Sequence, residues 1–116
     1  MSSSNYIITI EQSATYELVL TWQDDNGVPI NLTGYTALMH IRAKKEDTVI
    51  LITASTANTK IVIAPLTGVI TITIAAAETA LITWSDAVFD LLLTSPTGFV
   101  TRLIEGKVLV SYSVTR

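Results

Sequence analysis

The stretch that decides the fold is AVFDLLLTSPTGFVTRLIEGKVLVSYSV, residues 87–114. It consists of an almost continuous apolar run and a longer run rich in Val, Ile, Leu and Tyr, both typical of β-strands. Between them lies Ser95-Pro96-Thr97-Gly98, where Pro96 presets φ and Gly98 tolerates a positive φ, so a tight turn is predicted. Gly106 interrupts the second run and predicts a β-bulge. Together these features predict a β-hairpin.

Shorter segments before this hairpin also carry strand patterns. Apolar and polar side chains alternate along residues 16–23, 35–44 and 69–74, and short apolar runs lie at 6–10, 49–53 and 61–63. A helix is the rival interpretation of residues 35–44, whose Ala, Leu, Met and Lys favour helices, but the alternation holds for the whole run.

Turn and helix signals complete the pattern. Asn26-Gly27 is a strong turn dipeptide, and only residues 75–82 have a convincing helical pattern, which predicts a short crossover helix. Several short strands separated by turns predict an all-β antiparallel β-sandwich. We expect residues 1–10 to form an N-terminal arm and first strand, and residues 11–116 to form a single β-sandwich domain.

The composition argues against several classes of protein. No apolar run reaches the ~20 residues of a membrane helix, and a net charge of −3 disfavours nucleic-acid binding. The chain has no Cys and one His, so neither a disulfide framework nor the usual zinc site is expected. The first residues lack the basic and apolar regions of a signal peptide.

Only a few polar residues are candidates for functional sites. Asp90 and Arg102 lie in apolar strands on either side of one turn, which predicts a structural ion pair because an unpaired buried charge is costly. His40 is expected to be exposed beside Arg42. Asp24-Asp25 and Glu46-Asp47 lie in predicted turns without the spacing of a calcium loop. No catalytic, cofactor-binding or metal-binding residue, and no cofactor, is predicted.

Four aromatic residues could in principle form a sugar-binding platform, although packing in the core or at an interface is the favoured interpretation. They are scattered along the chain: Trp22, Tyr35, Trp84 and Tyr112.

Three segments resemble small structural proteins of tailed bacteriophages and prophages. They are LTGYTALMHIRAK at 32–44, TGVITITIAAAETALITW at 67–84 and FDLLLTSPTGFVTRLIEGKVLVSYSVTR at 89–116. The pattern is similar in turn to the immunoglobulin-like N-terminal domain of phage baseplate upper proteins. The resemblance implies an immunoglobulin-like sandwich and a virion protein without enzymatic activity, made in the bacterial host cytoplasm.

The role that this resemblance implies is assembly of a tail or baseplate, or docking of a fibre, with other phage virion proteins as partners. A capsid decoration protein and a carbohydrate-binding module are the alternatives. Only 15% of residues are charged, against ~25% in an average soluble domain. Apolar outer faces and open sheet edges therefore predict a homo-oligomer, a ring or a trimer, with the arm at residues 1–10 reaching a neighbouring subunit.

Overall fold

The computed structural model describes residues 4–112 and residue 114. The described chain contains eight β-strands and one helix. In chain order they are β1 (Ser4–Glu11), β2 (Tyr16–Thr21), β3 (Thr36–Arg42), β4 (Ile52–Ser55), β5 (Ile61–Ala64), β6 (Val69–Ile74), α1 (Ala76–Thr79), β7 (Asp86–Thr94) and β8 (Val100–Ser111). No helix in this part of the chain is long and apolar enough to span a membrane.

The strands form two sheets packed face to face. One sheet has the order β1-β8-β7-β3-β4 and the other has the order β2-β6-β5. All neighbouring strands are antiparallel except β1 and β8, which are parallel. The chain crosses from one sheet to the other four times, as in an immunoglobulin-like sandwich. The predicted fold is confirmed, and α1 is the short crossover helix between β6 and β7.

The core lies between the two sheets and follows the period-two alternation of the sequence. In β3, Ala37, Met39 and Ile41 are buried while the residues between them face outward, so residues 36–42 form a strand rather than a helix. In β6, Ile70, Ile72 and Ile74 are completely buried. The hairpin strand β7 alternates in the same way along all of its length. Because both sheets contribute one apolar face, the sandwich has a single continuous core.

The predicted turns are present. Gly27 has φ +79° and its N–H donates to the Asp24 carbonyl at 3.0 Å, which closes the Asn26-Gly27 turn. Gly98 has φ +92° and its N–H donates to the Ser95 carbonyl at 2.9 Å, so Pro96 and Gly98 occupy the β7–β8 turn as expected.

The boundaries of β4 differ from the prediction. The sequence predicts this strand at residues 49–53, but it runs from Ile52 to Ser55, and Val49 and Ile50 are exposed. Pairing with β3 begins at the Ile41–Ile52 partners, and Ile52 and Ala54 supply the buried side chains. An apolar run identifies a strand, but its limits depend on the partner strand.

Gly106 does not form the predicted bulge. Leu91 pairs with Ile104 and Leu92 pairs with Arg102, so the extra residue in β8 is Leu103. Two consecutive buried residues, Leu103 and Ile104, are the result of this irregularity. Gly106 is instead the point where β1 comes closest, since a Cβ there would overlap the Tyr6 carbonyl oxygen. Close approach of a neighbouring backbone is the other usual reason for glycine in a strand.

The N-terminal strand belongs to the sandwich. Ser4–Glu11 pairs along its whole length with β8 of the same chain, and Ile8 and Ile10 are buried in the core. The predicted first strand is therefore correct, but its partner is intramolecular rather than a neighbouring subunit. Residues 1–3 of the predicted arm lie outside the described residues.

Candidate functional site

The outer face of the five-stranded sheet carries a pocket of about 320 Å³. Three strands build it, because the register places His40 of β3, Asp90 of β7 and Glu105 of β8 in one row across the sheet. The odd–even alternation that buries Phe89 and Leu91 turns these polar residues outward. The lining residues are His40, Arg42, Lys45, Val88, Phe89, Asp90, Leu92, Arg102 and Glu105.

A chain of ion pairs crosses this pocket. Arg102 Nε lies 3.6 Å from Asp90 Oδ2, and Arg102 Nη1 donates to Glu105 Oε2 at 3.0 Å. Lys45 Nζ lies 3.3 Å from Glu105 Oε1, which ties the β3–β4 loop to β8. The predicted contact between Asp90 and Arg102 is present. It is not buried, however, because the two side chains are 38% and 52% exposed.

The exposure of the pair follows from the bulge at Leu103. The sequence places Asp90 and Arg102 inside apolar strands, where a charge is expected to be buried. The strands do contribute buried residues, but both charged residues occupy outward positions, and the irregularity at Leu103 sets the facing of Arg102. The ion pair therefore lies on the sandwich surface and borders a pocket.

His40 and Arg42 form the opposite wall of the pocket. Arg42 Nη1 donates to the Asp47 carbonyl at 2.7 Å, and Arg42 Nη2 lies 3.5 Å from His40 Nδ1. His40 is half-buried rather than freely exposed as predicted. The bond to Asp47 fixes the guanidinium, so Arg42 presents a preorganised donor group next to the imidazole.

The electrostatics of the pocket are dominated by the cations around Glu105. Hydrogen bonds from Arg102 and from Lys45, together with their positive charge, lower the pKa of Glu105 below its ordinary value. The pocket lining has more cationic residues than carboxylates, namely Arg42, Lys45 and Arg102 against Asp90 and Glu105. The chain as a whole, in contrast, has a net charge of −3. The pocket thus offers guanidinium and ammonium donors to a polar or anionic group of a partner.

Half-buried and exposed apolar side chains lie on the same outer face. Leu38 and Leu92 share a row with Arg102, and Val88 lies opposite Lys107 in another row. Leu38 is 37% exposed, and Ile7 on strand β1 is 61% exposed. Charged and apolar groups are therefore interleaved over four strands.

The other candidate residues do not join this site. The Asp24 carboxylate accepts hydrogen bonds from the backbone N–H groups of Asn26 and Val28 at 2.9 and 3.0 Å, so it stabilises its own turn. In the second acidic pair, Glu46-Asp47, the backbone carbonyl of Asp47 accepts a hydrogen bond from Arg42. Within residues 4–112 and 114, no three His, Cys, Asp or Glu side chains are grouped as they would be to hold a metal ion.

The four aromatic residues do not form one platform. Trp22 is buried and meets Tyr35 edge to face, with ring centroids 6.3 Å apart, at the end of the sandwich where β3 begins. Trp84 packs against the core just before β7, where the Tyr112 hydroxyl donates to the Thr83 carbonyl at 3.3 Å. Packing is the role that the structure gives Trp22, Tyr35 and Trp84.

Sequence reasoning missed two residues of the site, Glu105 and Lys45. Glu105 is visible in the sequence as the only acidic residue in the second hairpin strand, and its outward position could have been found by alternation after the bulge. No local signal connects Lys45 with Glu105, because 60 residues separate them and only the sheet brings them together.

Comparisons with known proteins identify no sequence family, but they do find similar solved structures. No protein-family model matches the chain, and no curated protein sequence matches it. Among solved structures, the chain is similar to Drosophila OTK, extracellular domains 3-5, with 12% sequence identity and a TM-score of 0.40. The match covers 94% of this chain and 34% of that one, so the chain spans well under two thirds of the structure it resembles.

Proposed function

We propose that the protein is a non-enzymatic structural component of a tailed phage virion, most specifically a docking module of the tail or baseplate. The resemblance of residues 32–44, 67–84 and 89–116 to phage structural proteins supports this role. The first and last of these segments contain β3, most of β7 and all of β8, the strands that build the pocket. The resemblance and the candidate site thus fall on the same strands.

The observation that carries the docking role is the mixed outer face of the five-stranded sheet. Arg102 on β8 pairs with two carboxylates, Asp90 and Glu105, and half-buried Leu92 and exposed Leu38 lie beside it in the same row. Arg is enriched in protein interfaces, and the core of such a patch combines apolar contacts with directed hydrogen bonds. Charge pairs arranged in a fixed pattern give specificity and register to docking. The partner in this proposal is another virion protein.

The test is incorporation of variants into virions. Arg102→Glu reverses the charge of the residue that bridges Asp90 and Glu105, and we expect particles that lack the protein or lack an assembled tail. Lys44→Glu is the matched control, because Lys44 is exposed, carries the same charge and does not line the pocket. Thermal melting of both purified proteins establishes that each is folded.

Normal incorporation of the Arg102→Glu protein would contradict docking through this face. Absence of the wild-type protein from purified virions would contradict the virion role itself. Electron microscopy of labelled particles separates the two virion locations, since several hundred copies on the head would indicate capsid decoration rather than a tail. Selective binding on a glycan array would favour the carbohydrate-binding alternative.

A further inference from the structure

The strand β2 is an open edge of the three-stranded sheet. Within residues 4–112 and 114, only β6 lies beside it. Trp22 N–H donates to the Gly68 carbonyl at 2.9 Å, and Thr73 N–H donates to the Lys60 carbonyl on the far side of β6 at 2.8 Å. Since backbone groups of successive residues point to alternate sides, the N–H and C=O groups of Glu17, Val19 and Thr21 point to the open edge.

We propose that a second copy of the chain pairs with this edge, β2 against β2, antiparallel and centred on Val19. Val19 then faces Val19 of the second copy, and Glu17 faces Thr21 at both ends. Each of these residue pairs can exchange two backbone hydrogen bonds, since all three residues direct their backbone groups outward. The result is a continuous six-stranded sheet around a two-fold axis.

The side chains make this register self-complementary. Glu17 meets a hydroxyl in Thr21, whereas centring the pair on Glu17 would place two carboxylates opposite each other. Centring it on Leu18 would set Glu17 against Val19. The Val19 register therefore avoids both a like-charge contact and a charge opposite an apolar residue.

The outer face of the three-stranded sheet continues across the proposed axis. Val19, Thr71 and Val62 form one row across β2, β6 and β5. Val19 and Val62 are 54% and 60% exposed. Pairing two copies joins two such rows into one band of β-branched side chains, which pack well on a pleated surface.

The other edges are less suited to a second copy. β4 and β5 have four residues each, and Pro65 follows β5 directly; short strands and proline are common protections of an edge. On β1, the Gln12 N–H donates to the Ser111 carbonyl, so the backbone groups of Ile7, Thr9 and Glu11 point outward. In an antiparallel pair of β1 strands centred on Thr9, apolar Ile7 of each copy would lie opposite charged Glu11 of the other.

Cross-linking tests the register directly. The chain has no cysteine, and residues in a hydrogen-bonded antiparallel pair have Cα atoms ≈ 5.5 Å apart, within the range of a disulfide. We expect Val19→Cys to form a disulfide-linked dimer on mild oxidation of the full chain. Val62→Cys is the matched control, because Val62 is similarly exposed but lies on β5, two strands from β2, and it should remain largely monomeric.

Light scattering supplies the second measurement, over a dilution series from about 1 mM to about 1 μM. Wild-type protein should dimerise, Val19→Lys should be monomeric because two ammonium groups would meet at the axis, and Val62→Lys should dimerise as wild type. Wild-type protein that stays monomeric throughout, with no Val19→Cys cross-link, would refute the proposal. So would a dimer that Val62→Lys disrupts and Val19→Lys does not. The dimer and the virion role are independent, since each can fail without the other.

Discussion

Replacement of Gly106 by Ala is the sharpest test of how β1 is held in the sandwich. Gly106 is not among the positive-φ glycines, so an alanine there is not strained by its own backbone. Its Cβ would overlap the Tyr6 carbonyl oxygen and lie 2.6 Å from the Tyr6 nitrogen. Backbone atoms cannot rotate away as a side chain can, so β1 must separate from β8 at this point.

The size of the effect follows from what β1 buries. Ile8 and Ile10 are 1% and 0% exposed, and full burial of such a side chain contributes roughly 1.5–3 kcal/mol. Complete separation of β1 would therefore cost about 3–6 kcal/mol, an upper limit because unfolded chains already bury some apolar surface. A local shift of the strand would cost less, and about 2–4 kcal/mol is the expected decrease in unfolding free energy.

Urea unfolding measures this decrease, and the m-value distinguishes the two responses. Detachment of β1 exposes surface in the folded state and lowers m, whereas a local shift leaves m unchanged. Gly27→Ala is the control, since Gly27 has φ +79° and a Cβ added there would meet no atom within 4 Å; strain alone should cost about 1–2 kcal/mol there. A Gly106→Ala protein no less stable than Gly27→Ala would refute the reasoning.

Three further outcomes are expected. Arg102→Ala should lower stability by no more than about 1 kcal/mol in thermal melts, because the ion pair is half-exposed; a larger loss would indicate that the cluster is structurally essential. Burial, and then the nearby Tyr6, raises the pKa of Tyr16 to about 12 from 10.0, so the unfolded chain loses this proton first and stability should fall as pH rises from about 10 to about 12. The Tyr16→Phe protein should show a smaller fall over that interval, and an equal fall would contradict the assignment. EDTA should leave the melting curve unchanged because the Asp24 carboxylate already accepts two backbone hydrogen bonds; a decrease reversed by calcium would show a metal site in that turn.

The position of β1 also determines how oligomerisation can be tested. Truncation before Glu11 would remove an exchanged arm, but it would also delete Ile8 and Ile10 from the core. Failure of the truncated protein to assemble would therefore not distinguish unfolding of the sandwich from loss of a contact between subunits. A symmetric contact between two β2 edges is complete with two copies. It would therefore produce a dimer rather than the ring or trimer expected from the sequence.

The sequence alone determined the features that depend on near neighbours in the chain. Alternation along β3 and β6 identified strands and their buried faces, since side chains of a strand point to opposite sides with period two. The turns at Asn26-Gly27 and Pro96–Gly98 were predictable because their residues prefer the required backbone conformations. The Asp90–Arg102 pair was predictable as a contact because a short turn brings the two strands together.

Tertiary structure decided everything that depends on register between distant strands. The bulge lies at Leu103 rather than Gly106. Strand β8 has to place its apolar side chains in the core while it pairs with β7 on one side and with β1 on the other. The same register turned Arg102 outward and placed the predicted ion pair at the border of a surface pocket. Lys45 and Glu105 meet only because β3 and β8 flank β7 in one sheet. A slip of one residue would reverse the facing of every side chain in a strand, and local sequence patterns do not specify which strand lies beside which.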